Sequence, residues 1–213
     1  FYYNMYVFQY ATSQTAGTAL YEKIKEEGAA GVENYKNLLK AGGSGYPYDL
    51  LTAAGVDLAK PEPYRAAVRK MNAIMDEMER LLRRVIEIKP DHAHAYNALG
   101  YTLADRTDRF TEAHALIEKA LKLAPDDAFI MDSMGWVLYR MGRNREALEH
   151  LERAYRLRPD AEIAAHLGEV LWASGRQDDA RRIWSGALEA HGQNEALQKT
   201  VKRFAPVILP AAR

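Results

Sequence analysis

A large apolar residue followed by glycine recurs three times in the second half of the chain, at Leu99-Gly100, Met134-Gly135 and Leu167-Gly168. The glycines are 35 and 33 residues apart. A near-constant period of this length marks stacked supersecondary units, and it limits the fold more than any other feature here. Each pair opens a helix pattern. A turn follows (Arg106-Thr107-Asp108-Arg109, Gly142-Arg143, Gly175-Arg176), the first about one residue longer than the others. A second helix pattern then carries Ala113, Ile117, Ala120; Ala147, Leu151, Ala154; and Ala180, Trp184, Ala187. Pro125 and Pro159 close two units, and His191-Gly192 ends the third. Two helices per period predict an all-α fold.

In register, these residues resemble the tetratricopeptide repeat: small residues where two helices touch, a larger apolar residue four positions later, and a terminating proline. The resemblance covers about residues 93 to 192 and implies a right-handed superhelix of about three repeats with flanking helices. Met78, Leu82, Val85 and Pro90 fall where the second helix of a preceding unit would place the same four positions. At the far end Asn194 is a cap for a helix through Phe204. Leu197 and Val201 face inward there and Gln198, Lys199, Lys202 and Arg203 outward, the polar outer face that a stacked array needs.

Set positions of each first helix line the inner face of such a superhelix. Here they are His94, Asn97, Tyr101, Phe129, Asp132, Trp136, Tyr139, His166, Glu169 and Trp172. The paired Asn and Lys/Arg set that grips a C-terminal carboxylate in some family members is missing. Two readings stay open. An extended or helical peptide lies on Tyr101, Trp136 and Trp172, or the aromatics pack only between neighbouring repeats.

The first half uses a different vocabulary. Nine of the thirteen tyrosines fall between Tyr2 and Tyr64, whereas fifteen of the eighteen arginines, from Arg83 onward, and all three tryptophans lie in the rest. Helices are predicted over about Asn4–Glu27 and Val32–Lys40, with Gly28 and Gly31 as breaks, and a short one follows Pro47 to Ala54. Gly42-Gly43-Ser44-Gly45 lacks the Gly-Lys-Ser/Thr ending of a phosphate loop and reads as a tight connection. The string Phe1-Tyr2-Tyr3-Asn4-Met5-Tyr6-Val7-Phe8-Gln9-Tyr10-Ala11-Thr12, then Asn34-Tyr35, Leu38-Leu39-Lys40-Ala41-Gly42-Gly43-Ser44, Tyr46-Pro47 and Ala54-Gly55-Val56-Asp57, resembles the C-terminal end of oligoendopeptidase F. That enzyme belongs to the zinc metallopeptidases related to thimet oligopeptidase. The resemblance runs over about residues 1 to 80 and implies substrate-side positions at Tyr3, Tyr6 and Phe8. The last of these departs from the tyrosine common there.

Such a peptidase holds zinc with two histidines one helical turn apart and a glutamate base between them. No His-Glu-x-x-His occurs among His92, His94, His114, His150, His166 and His191. His92 and His94, two apart, point in different directions on a helix, and Glu146 with His150 is a spacing common by chance. The chain is therefore expected to be no enzyme, with no cofactor and no metal.

From Arg65 to Glu87 the apolar residues Ala66, Val68, Met71, Ile74, Met75, Met78, Leu81, Leu82 and Val85 recur at three- and four-residue steps, between Pro61/Pro63 and Pro90. The expected organisation is a peptidase-like helical segment (1–62), a shared connecting helix (63–89), three repeats (90–192), and a capping helix with tail (193–213). Charge is balanced, with 29 basic and 29 acidic residues, so neither nucleic acid nor a membrane surface is an expected partner. There is no cysteine and no run long enough to span a bilayer. The start lacks the features of a signal peptide and an initiator methionine. The expectation is a soluble, cytoplasmic chain that begins inside a longer one.

The leading reading is a non-catalytic helical scaffold, an engineered or recombined fusion of two helical proteins that binds a peptide or protein segment in the repeat groove. The N-terminal aromatic helix, unless folded back on its own unit, would pair with a second copy as a homodimer. The rivals are a zinc oligopeptidase fragment that needs a complementing metal-bearing chain, and a natural tetratricopeptide adaptor.

Overall fold

The computed structural model describes residues 2–208, with side chains from residue 10 onward. Its helices are α1 (Tyr2–Glu27), α2 (Ala29–Ala41), α3 (Pro47–Ala53), α4 (Glu62–Ile88), α5 (Ala93–Arg106), α6 (Phe110–Leu123), α7 (Ala128–Arg140), α8 (Asn144–Leu157), α9 (Ala161–Ala173), α10 (Gln177–His191) and α11 (Glu195–Phe204). A short 3-10 turn, Pro206–Ile208, follows, and no strand occurs among the described residues, as an all-α fold requires. The chain divides into a unit ending at Met78 and a unit starting at Glu79, a division that falls inside α4.

In the second unit α5/α6, α7/α8 and α9/α10 are three helix pairs, and α11 packs on α9. The apolar-glycine pairs lie in the middle of the first helices rather than at their openings, because glycine marks the crossing point of each pair. A β-carbon on Gly100 would sit 2.6 Å from Ile117 Cγ1, one on Gly135 2.5 Å from Leu151 Cγ, and one on Gly168 2.1 Å from Trp184 Nε1. The same three partners are fully buried, together with Ala113, Ala147 and Ala180 one turn earlier. Close approach at a small residue lets the large one fill the space, which is how the array reaches interior packing density.

The two helices of a pair start differently. Each first helix is capped by a side chain: His92 Nδ1 accepts from Ala95 N at 3.2 Å, the Asp127 carboxylate from Phe129 and Ile130 N at 2.9 and 3.1 Å, and that of Asp160 from Glu162 N at 2.9 Å. Each second helix follows an arginine, Arg109, Arg143 or Arg176, whose guanidinium grips the acid three residues on: Glu112, Glu146 or Asp179. Arg109 also bonds Glu79, and Arg83 bonds both Glu79 and Glu112, so the last turns of α4 join α6 through one four-member charge network.

The first unit is more thinly packed. Its buried apolar core is Ala19, Leu20, Ala54, Val56 and Ala66, with Leu38, Leu51 and Leu58 against it. Asp57 fixes the loop after α3 by accepting from Tyr48 Oη at 2.7 Å and from Ala59 N at 2.9 Å. Gly28, at φ +59°, is the only break between α1 and α2. Gly31, expected to break the chain as well, lies buried inside α2, where a β-carbon would meet the Lys23 carbonyl oxygen at 2.7 Å. It is a crossing point for two helices, so α2 begins at Ala29 and not at Val32. α4 likewise starts earlier than Arg65, with Pro61 outside it, Pro63 in its first turn, and Arg65 N already donating to Pro61 O at 2.9 Å.

Candidate functional site

The first helices of consecutive repeats stand side by side, α7 packing against both α5 and α9. That arrangement brings one residue set together. His166 on α9 places Nδ1 within 2.9 and 3.0 Å of the two Asp132 carboxylate oxygens on α7. Its ring stacks on Trp136 with centroids 4.4 Å apart and an interplanar angle of 25°. Tyr101 of α5 approaches the same ring at 6.1 Å, and Tyr139 lies 5.5 Å from Trp136. Three consecutive repeats thus meet at a single imidazole.

Burial sorts this set. Asp132 and Trp136 are buried at 6% and 8% exposure, so they serve chiefly to join neighbouring repeats. Asn97, Tyr101, Tyr139, His166 and Glu169 are half-buried, and Phe129 is 38% exposed under the Arg158 guanidinium. Two polar atoms here lack a partner: Asn97 Oδ1 and Trp136 Nε1. His94 is mostly exposed, with Nε2 3.8 Å from an Asp127 oxygen. Trp172 joins a different cluster, stacking on Trp184 at 5.8 Å and meeting Phe204 at a tilt at 6.2 Å, with Arg181 over its face.

Charge is concentrated at this place. Burial disfavours a proton on His166, but the adjacent Asp132 carboxylate, helped by Glu169 and Glu162, outweighs it and moves the imidazole above its ordinary range. Burial pushes the Tyr101 hydroxyl up to about 12, with Asp105, Asp132 and Glu162 adding to it. Burial also raises Glu169, against the pull of Arg203, His166 and Arg140. Two of those cations are not evident from the sequence pattern. Arg203, expected to face outward, reaches to 3.8 Å from Glu169, and Arg140 donates to the Asp105 carbonyl at 3.3 Å while covering Phe110. Their place in the last turn of a helix is the available signal, since that is where a long cation bends back over the helix end.

The side chains of Tyr3, Tyr6 and Phe8 lie outside the described residues. The zinc implied by the metallopeptidase resemblance does not fit the residues present. Among the described residues no group of three His, Asp or Glu side chains is placed to hold a metal. Glu146, of the Glu146/His150 pair one helical turn apart, is bonded by Arg143 at 2.8 Å. Nor is any described helix long and apolar enough to cross a membrane.

Comparison with known proteins divides the chain in the same order. The family model "Tetratricopeptide repeat" matches residues 76–128 and 133–206, and "Peptidase family M3" matches residues 1–70. A TPR repeat-containing protein of Pseudomonas aeruginosa is 54% identical over 128 residues, which are 60% of this chain and 22% of that protein. Oligopeptidase PepF of Bacillus subtilis is 51% identical over 85 residues, 40% of this chain and 13% of that one. The chain therefore spans well under half the length of either relative. A thermophilic TPR protein of Thermus thermophilus shares the fold, with a TM-score of 0.56 at 20% identity over 76% of this chain and 91% of its own.

Proposed function

Because the chain belongs to the tetratricopeptide repeat family, over residues 76–128 and 133–206, we propose that it is a non-catalytic helical scaffold whose repeat groove holds an extended peptide segment. The observation that carries this reading is the cluster around His166, which three consecutive first helices build together. Asp132 and Trp136 are spent on holding His166 in place. The groups left to meet a ligand are Tyr101, Tyr139, Asn97 and Glu169: two aromatic faces, an amide and a carboxyl group whose pKa burial raises. Aromatic rings offer large contact area at low entropic cost, and the amide and carboxyl suit the hydrogen-bonding groups of a peptide backbone. Trp172 takes no direct part in this reading.

The peptidase-like segment ahead of the repeats supports a further element of the proposal, a fusion, recombined or engineered, of two helical proteins within α4. The M3 match ends at residue 70, the repeat match begins at 76, and both positions lie in the one helix Glu62–Ile88.

The test is an immobilised array of random ten-residue peptides probed with the fluorescently labelled chain and with a Tyr101→Ala/Tyr139→Ala variant of matched helicity. The expected result is a subset of spots bound by the parent and lost in the variant. An array bound equally by both proteins, or by neither, overturns the reading.

A further inference from the structure

The His166 imidazole has two ring nitrogens, and the chain uses only one of them. Nδ1 lies 2.9 and 3.0 Å from the Asp132 carboxylate oxygens, and a carboxylate can only accept, so Nδ1 carries a hydrogen. Nε2 has no hydrogen-bond partner among the described residues, and it is not sealed from water as the unpartnered Asn97 Oδ1, Trp136 Nε1 and Trp184 Nε1 are. The side chain keeps 17% of its surface exposed. Trp136 stacks on the ring at 4.4 Å and Tyr101 approaches it at 6.1 Å, so the ring cannot turn without breaking contacts with α5 and α7. A ring braced in this way presents its remaining nitrogen in one fixed direction.

With Nδ1–H held by Asp132, Nε2 is the atom that gains and loses a proton. Protonated, it is a charge-assisted donor; neutral, it is an acceptor, so its preference inverts. The surrounding charges decide which oxygen suits the donor. α5 brings Tyr101, with Asp105 and Arg106 beyond it, and α7 brings Asp132 and Arg140. On α9 itself Glu162 and Glu169 act on the ring, and Arg203 of α11 faces Glu169. The acids of α8 and α10 that adjoin α9, Glu152 and Asp179, are taken up by Arg176. Asp132 thus already balances the imidazolium, and a ligand carboxylate would meet further acids. A neutral carbonyl meets no such repulsion.

Resting on the groove reading above, we propose that His166 is the groove's specificity-determining donor: its Nε2–H meets a backbone carbonyl oxygen of the bound peptide, and the protonated chain holds that peptide more tightly than the neutral one. Burial disfavours the proton, but Asp132 outweighs burial and keeps the donor present above the ordinary histidine range. The donor is lost as pH rises through the folded value.

The experiment first follows the ring nitrogens of the isotope-labelled chain by proton–nitrogen correlation NMR across pH. It then reads the random ten-residue peptide array below and above the His166 midpoint so found, with helicity checked at both. The expected result is that Nε2 titrates and Nδ1 keeps its hydrogen. Spots that require Tyr101 and Tyr139 should weaken by roughly tenfold above the midpoint, the worth of one charge-assisted hydrogen bond. His166→Gln should bind them equally on both sides. Titration at Nδ1 overturns the proposal without reference to any ligand, and so does a pH response that persists in His166→Gln. Spots that require the two tyrosines yet ignore the midpoint overturn it and leave the groove reading standing. An array with no such spots removes the groove reading, and this inference with it.

Discussion

The two units of this molecule solve the same packing problem with different resources. In the repeat unit, glycine at each crossing is matched by a large side chain on the facing helix, and the pairs Gly100/Ile117, Gly135/Leu151 and Gly168/Trp184 put three bulky groups out of contact with water. Among the described residues of the peptidase-like unit, one helix crossing, at Gly31, is made this closely, and it lies against backbone of α1 rather than beneath a large side chain. Burial of apolar area is the main favourable term in folding. The contrast therefore teaches that paired glycine crossings let one unit bury large side chains, while the other, with a core of mostly small residues, leaves larger apolar ones in water.

The comparison can be broken most sharply at Trp184. Trp184→Ala removes the largest fully buried side chain and should destabilise the repeat unit by about 3–5 kcal/mol, measured by urea unfolding followed through helicity. A loss below about 1 kcal/mol would mean the array is not held by its crossings. Gly168→Val attacks the same crossing from the other side and should cost about 1–3 kcal/mol by overpacking, since even a β-carbon there meets the indole.

A smaller effect comes from His166. Its imidazole binds a proton more tightly in the folded chain than in the unfolded one, because Asp132 outweighs the cost of burial. The stabilisation is thus fully present below the ordinary histidine range, near 6.5, and is lost as pH rises through the higher folded value. Thermal melts at rising pH above the ordinary histidine range should show the repeat unit weakening, and His166→Gln should flatten that slope. An unchanged slope in the variant would remove His166 from the linkage. The smallest effect belongs to the first unit: Met71→Gln should change the stability of the chain alone by no more than about 0.5 kcal/mol, because Met71 faces water. A larger loss would show that Met71 is packed within the chain.

Much of the repeat unit is legible in the order of its residues. The period, the small residues at the crossings, the inward Leu197 and Val201, and the Asn194 cap, whose Oδ1 accepts from Leu197 N at 2.9 Å, all follow from residue type and spacing. Periodicity says which side of a helix is buried but not which neighbour it meets. For that reason Trp172 can be placed on the inner helices from its spacing yet not assigned to Trp184 and Phe204. Glycine is ambiguous for a related cause, since it serves both a positive φ, as at Gly28, and a close helix approach, as at Gly31. The charge pairs of Arg109, Arg143 and Arg176 repeat in sequence as an arginine three residues before an acid, a spacing too common to single out until the helix starts are known. Of the candidate site, the membership of Asp132, Trp136, Tyr139 and His166 follows from the repeat register. Their convergence on one imidazole does not.

The glycine crossings have a consequence for how such an array changes over time. The facing residue is isoleucine in the first pair, leucine in the second and tryptophan in the third, so each glycine sits in a socket cut for its own partner. Moving a single helix from one pair to another would leave a void or a collision, whereas moving both together carries the fit along. The heritable module is therefore the helix pair. Duplication or exchange that respects that boundary keeps each crossing intact and leaves only the joints between pairs, such as Asp132 with His166, to adjust.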